Sequence, residues 1–227
     1  HSGRDLSLFS SGDIDICADI SEKEIIYNVF GKLGYTIQEH YNGCELCITA
    51  FSHHNRLPEN FYLSVCWKSL YREKLPCPIN FDDYINWNSL RYYSNTQIKL
   101  PGTETLLYIC LIHISLHSFN RPPAIRLYAD ILNCIYNKQV DWNLIQVWAR
   151  KSKVIIRTKV SLLLAQKLLG LDIPIFILKD INNKSKKIIS MVYDHDTKCL
   201  KSKSCMWQTY FIEILCNDNG ILDGVAN

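Results

Sequence analysis

The sequence has no G-x-x-x-x-G-K-[ST] loop, no G-x-G-x-x-G turn and no G-x-S-x-G elbow. P-loop, dinucleotide-binding and α/β-hydrolase chemistries therefore have no motif support. No apolar run reaches the roughly 20 residues of a membrane span. The opening stretch HSGRDLSLFSSGD has neither the basic start nor the apolar segment of a secretion signal. The expectation is a cytoplasmic protein with no membrane partner. Charge of one sign is also scarce: the net charge of +3 is too small to argue for nucleic acid by itself. Internal repeats and low-complexity tracts are absent.

What is present is ordinary for a globular chain. Of 227 residues, 48% are hydrophobic and 21% charged, enough for one large domain or two small ones with a real core. Ten cysteines are scattered through segments that read as strands and helices. A disulfide-stapled secreted domain is usually shorter and loop-rich, so reduced, mostly buried thiols are expected.

The composition changes near residue 75. Before it, β-type runs DIDICADI, GCELCITAF and FYLSVCWKSLY surround one helix, SEKEIIYNVFGKLG. Ser21 is the expected N-cap with Glu24 three residues on, and Gly34 closes a helix whose face is Ile25, Ile26, Val29, Phe30 and Leu33. After LPCPINFDDY the chain reads as helices. Thr103 opens one, Pro122 and Pro123 a second, and Asp141 caps a third. A longer apolar helix stops at Gly170 with Pro174 just beyond. Residues 180–187 read as a polar loop or linker, followed at the end by the apolar segment WQTYFIEILC. The expected class is α+β: a small mixed-sheet α/β domain over 1–75, a helical domain over 76–178, and a basic polar segment with a C-terminal apolar element over 179–227.

SSGDIDICAD is the most informative stretch. Side chains alternate along a strand, so Asp13 and Asp15 share one face while Ile14 and Ile16 take the other. Two carboxylates about 6–7 Å apart on one strand suit hard divalent cations such as Mg²⁺, with the small turn Ser10–Ser11–Gly12 leaving access. The same D-x-D pattern also occurs at exposed strand edges and in helix-capping loops.

With these residues in place, the chain resembles the nucleotidyltransferase superfamily, whose pattern is a small Gly/Ser turn, an acid–apolar–acid strand and a third acid on a later strand. From about Asp13 to Pro174 it looks like the uncharacterised bacterial nucleotidyltransferase family. The segments LLYICLIHISLH, IRLYADIL and VDWNLIQVWARK resemble its helical region, and FYLSVCWKSLY its strand joining the two halves. The resemblance implies a nucleotidyltransferase fold and transfer of a nucleoside monophosphate from a nucleoside triphosphate, ATP in the first instance, to an acceptor. It implies Mg²⁺ or Mn²⁺ held by Asp13 and Asp15, with Glu45 as an alternative third carboxylate. Ser2 and Gly3, with Ser11 and Gly12, are the candidates for facing the triphosphate, and His113 and His117 for a place near the substrate. Ser64 stands where the family has its third acid, and Cys66 where it has His. No strand precedes Gly3, so either the chain continues upstream or that element is missing. The alternatives are a catalytically degenerate module that binds a nucleotide or a protein partner, and an antitoxin-like role.

Other groupings are weaker. His113 and His117 are four apart on one helical face, a spacing that can bind zinc, but no acid completes an H-E-x-x-H pattern and a packed or solvent-edge pair is the expectation. Arg126 and Asp130 read as a helix-face pair, with Asp130 between helices. Cys44 and Cys47, with His53 and His54 after them, resemble zinc spacing, but residues three apart in a strand face opposite sides. Lysines 184, 186, 187, 198, 201 and 203 form a basic region interrupted by Asp194 and Asp196, which argues against nucleic acid.

Overall fold

The computed structural model describes residues 13–42, 45–52, 60–67, 69–70, 75, 79–80, 89–93, 96–119, 124–136, 138–179, 181–193, 212 and 214–216. The chain divides into two units, one of residues 1–74 and 78–83, the other of 75–77 and 84–227.

In the first unit, strand β1 (Asp13–Ala18) leads into a 3-10 turn (Ile20–Glu22) and helix α1 (Lys23–Lys32). The helix entrance differs from expectation. Asp19, not Ser21, is the cap: its carboxylate accepts the Ser21 amide at 3.0 Å, and Glu22 returns a bond from the Asp19 amide at 2.9 Å. The three-residue spacing of a capping box is kept but starts two residues earlier, because an aspartate accepts more strongly than a serine hydroxyl. Gly34 follows the helix at φ 82°, where a side chain would be strained. Strands β2 (Tyr35–Asn42), β3 (Glu45–Ser52) and β4 (Asn60–Trp67) then pair in the order β1-β4-β3-β2, with β1 parallel to β4 and the other ladders antiparallel. The short strands β5 (Ser69–Leu70) and β6 (Ile79–Asn80) form a separate antiparallel pair.

The second unit opens with a hairpin of β7 (Ser89–Tyr93) and β8 (Thr96–Leu100) in a stretch expected to be helical. Tyr, Thr and Ile at alternating positions favour a pleated strand over a helix there. Helices α2 (Thr103–Leu116), α3 (Ala124–Ile135), α4 (Trp142–Lys151) and α5 (Ile155–Leu169) follow. The short α6 (Ile175–Leu178) and α7 (Asn183–Tyr193) come after them. Asp141 caps α4 through the Leu144 amide at 3.1 Å, and Gly170 ends α5 at φ 66°. Pro122 and Pro123 lie outside the described residues. Residues 183–187, expected to be loop, are the first turns of α7: the Asn182 side chain accepts the Ser185 amide at 2.8 Å, and Ile188 and Ile189 are buried. Capping and two apolar residues outweigh the local lysines.

The core decides the class, and it corrects the α+β expectation. Among the residues whose side chains are described, the buried hydrophobic ones lie in the helices, in their connections, at Ile212, Leu215 and Cys216, or at Leu75. What packs is a helical body. Leu107, Leu111, Ile112, Ile114, Ile131, Ile145, Val160, Leu162 and Leu164 are fully buried, each worth about 2 kcal/mol of transfer free energy. The expectation weighed the β-type runs before residue 75 equally with the helices after Thr103, whereas the described core is built by helices whose apolar faces cover one another. Polar bonds hold the helices in register. Ser161 Oγ on α5 donates to Leu111 O on α2 at 2.7 Å, and the Tyr108 hydroxyl donates to Trp148 O on α4 at 3.3 Å. After α2 the backbone turns through Ser118 and Phe119, both left-handed, and the Tyr128 hydroxyl donates to Phe119 O at 3.1 Å. Burial pushes that phenol well above its ordinary pKa. Among the described residues no helix is long and apolar enough to cross a membrane.

Candidate active site

The D-I-D segment is strand β1, and its ladder with β4 fixes its neighbours. Asp13 pairs with Tyr62, Asp15 with Ser64 and Cys17 with Cys66; Ser64 pairs in turn with Cys47, and Cys47 with His40. Residues directly opposed in a ladder share a face. Asp13, Asp15, Ser64, Cys47 and His40 therefore belong to one face. Ile14, Ile16, Leu63, Val65, Leu46 and Ile48 belong to the other, by the same register. A hydroxyl residue, not a carboxylate, stands beside Asp15 on the neighbouring strand. Glu45 opens β3, one residue before Leu46, which pairs with Val65. Because β4 intervenes, Glu45 is two strand spacings, roughly 10 Å, to the side of β1. As donors, two carboxylates at alternate positions of one strand fit a hard cation. Ser2, Gly3, Ser11 and Gly12 lie outside the described residues, as do Cys44, His53 and His54. Among the described residues no group of three or more metal-ligating side chains comes together.

In the second unit, His113 and His117 meet near the end of α2. Their Nε2 atoms are 3.1 Å apart and their ring centroids 4.9 Å, with planes at 37°. Both side chains are half-buried. The helix beneath is held rigidly: Leu111, Ile112, Ile114 and Ser115 are fully buried.

Two thiols form a pair that sequence reading missed. Cys110 on α2 and Cys134 on α3 titrate as neighbours: interaction with Cys134 pushes the Cys110 thiol up, with burial adding to it, and interaction with Cys110 holds Cys134 down. Both are free cysteines. The signal was the placement of one cysteine in each of two consecutive helices, which pack as neighbours when the connection is short. Asp130, one turn before Cys134, has a carboxyl raised by burial and partly restored by Arg126. Arg126 and Asp130 thus interact as their spacing suggested. Lys184, Lys186 and Lys187 lie on α7, and lysines 198, 201 and 203 are outside the described residues.

A cleft of about 490 Å³ opens between the end of α3, the start of α4 and the end of α5, lined by Tyr136, Lys138, Trp142, Leu169, Asp172 and others. It holds none of the candidate site residues.

The D-I-D strand, the histidine pair and the two thiols lie within a span that one sequence family accounts for. The profile of a family described as an uncharacterised nucleotidyltransferase matches residues 4–170. The chain belongs to this nucleotidyltransferase family. No curated protein and no solved structure matches it.

Proposed function

We propose that the protein transfers a nucleoside monophosphate from a nucleoside triphosphate, ATP in the first instance, to an acceptor hydroxyl or phosphate. The observation that carries this reading is the family match over 4–170, which includes the D-I-D strand. Asp13 and Asp15 would hold Mg²⁺ or Mn²⁺ through their carboxylates. Bound there, the ion supplies neutralisation of triphosphate charge and activation of the attacking oxygen. The chain's own part is to fix two carboxylates on one strand, so that the charge awaiting the nucleotide is pre-organised rather than assembled on binding. Glu45 remains a candidate third ligand, and Ser2, Gly3, Ser11 and Gly12 candidates for the triphosphate.

A second reading is favoured by one specific pairing. Ser64 opposite Asp15 leaves a neutral side chain at the register position where the family pattern has its third acid. A serine cannot supply the charge that steadies a second ion, and the expected product of that loss is a module that binds nucleotide without turning it over.

Calorimetric titration of Mg²⁺ and ATP into wild type, Asp13→Asn and Asp15→Asn separates the two, with circular dichroism confirming that each variant folds. Metal-dependent ATP binding that either substitution abolishes, followed by label transfer from ATP to an acceptor in lysate, is the expected result. Metal-dependent binding lost in the variants but without transfer by wild type supports the degenerate module. ATP binding unchanged in both variants, or absent from wild type, overturns the metal site itself.

A further inference from the structure

We propose that His113 and His117 form a two-imidazole site for a divalent transition-metal ion of the zinc class, separate in chemistry from any Mg²⁺ at Asp13 and Asp15. The argument begins with helix geometry. Residues four apart project from one face, one turn above the other, so their rings can reach a common point. Here they do: the Nε2 atoms are 3.1 Å apart. Metal–imidazole bonds are about 2.0–2.1 Å long, which puts two ligand atoms on one ion about 3.3 Å apart in a tetrahedron and about 2.9 Å in an octahedron. The observed separation falls between these limits. An ion roughly 1.3 Å off the line joining the two nitrogens satisfies both bond lengths, with the rings turning about their side-chain torsions to face it.

Three further features suit such a site. The scaffold is pre-organised, because Ile112, Ile114 and Ser115 around the pair are fully buried and Ser115 Oγ donates to Ile112 O at 2.6 Å. The imidazoles are half-buried, so part of each residue reaches solvent, which can supply water as a further donor. The donor type selects the ion: neutral imidazole suits Zn²⁺, Ni²⁺ and Cu²⁺, whereas Mg²⁺ takes oxygen. The proton count balances. In the metal-free pair one ring donates from Nε2 to the other. On binding, that ring takes the other neutral tautomer, with its proton on Nδ1, and both Nε2 atoms present lone pairs.

Zn²⁺ is the probe. It is titrated into the full chain under reducing conditions, into wild type, His113→Gln and His117→Gln, and X-ray absorption is recorded on wild type at one equivalent. The expected result is one Zn²⁺ whose affinity falls tenfold or more in each variant and is insensitive to millimolar Mg²⁺. Its first shell should be nitrogen and oxygen at about 2.0–2.1 Å. Affinity unchanged from wild type in both variants overturns the proposal, as does no binding by wild type at millimolar Zn²⁺. A sulfur shell at about 2.3 Å also overturns it, because the ion then sits on cysteines. Should either variant fail to fold, the wild-type absorption spectrum decides alone, by whether it shows imidazole or thiolate ligands.

Discussion

Helices α1 and α4 are matched in almost every local respect and opposite in the one that matters for stability. Each has 10 residues, each follows an aspartate whose carboxylate caps a turn, and each carries apolar residues at helical spacing. Helix α4 buries Ile145, Trp148 and Ala149. Helix α1 buries nothing: Ile25 is 62% exposed, Val29 49% and Leu33 54%. Periodicity therefore tells which residues share a face. It does not tell whether another element covers that face, and the hydrophobic contribution depends on the covering.

The largest test of this contrast is a pair of truncations. Ile145→Ala, at a position with 0% exposure, is expected to cost about 3 kcal/mol through lost burial and a residual cavity. Ile25→Ala should stay within about 0.5 kcal/mol. Urea denaturation midpoints measure both, and equal losses would erase the distinction between the helices. The caps give a smaller version of the same comparison. Asp141→Ala removes the acceptor for the Leu144 amide and should lower global stability by about 1 kcal/mol. Asp19→Ala breaks the capping box, and its effect should appear as faster amide exchange within α1 while the global midpoint moves less than for Asp141→Ala. A larger global shift from Asp19 would show that α1 belongs to the same cooperative core.

The smallest expected effect is on pH dependence inside the helical region. The folded state raises the Asp130 carboxyl above its ordinary value, mainly by burial against the opposing pull of Arg126. The protonated form is thus favoured by folding. Its contribution to stability is complete below the unfolded pKa and is lost as pH rises through the folded one. Asp130→Asn should flatten stability across that acidic window and leave neutral-pH stability equal or slightly higher. A variant that is less stable at neutral pH would instead assign the charged carboxylate a structural bond.

Legibility in the sequence followed the range of the interaction involved. The end of α5 at Gly170, the cap at Asp141 and the start of α2 at Thr103 were readable because each depends on residues within one turn. The D-I-D strand was readable for the same reason, and its family pattern with it. The misreadings sit where local signals compete. Ser21 and Asp19 both offer an oxygen to one helix start, and Asp19 prevails. The polar run at 183–187 hides a helix whose stability comes from Ile188 and Ile189 packing. The paired strands β7 and β8 were hidden by helices that begin just beyond them.

The sequence by itself determined the helix stops, the placing of two aspartates at alternate positions of one strand, and family membership, because turns, alternation and motif spacing are written in neighbouring residues. Only the tertiary structure decided that the described core is helical, that Ser64 stands beside Asp15, that Cys110 meets Cys134, and that the His113 and His117 nitrogens lie 3.1 Å apart. Strand register, burial and side-chain convergence depend on which distant segments pack together, and no local pattern encodes that choice.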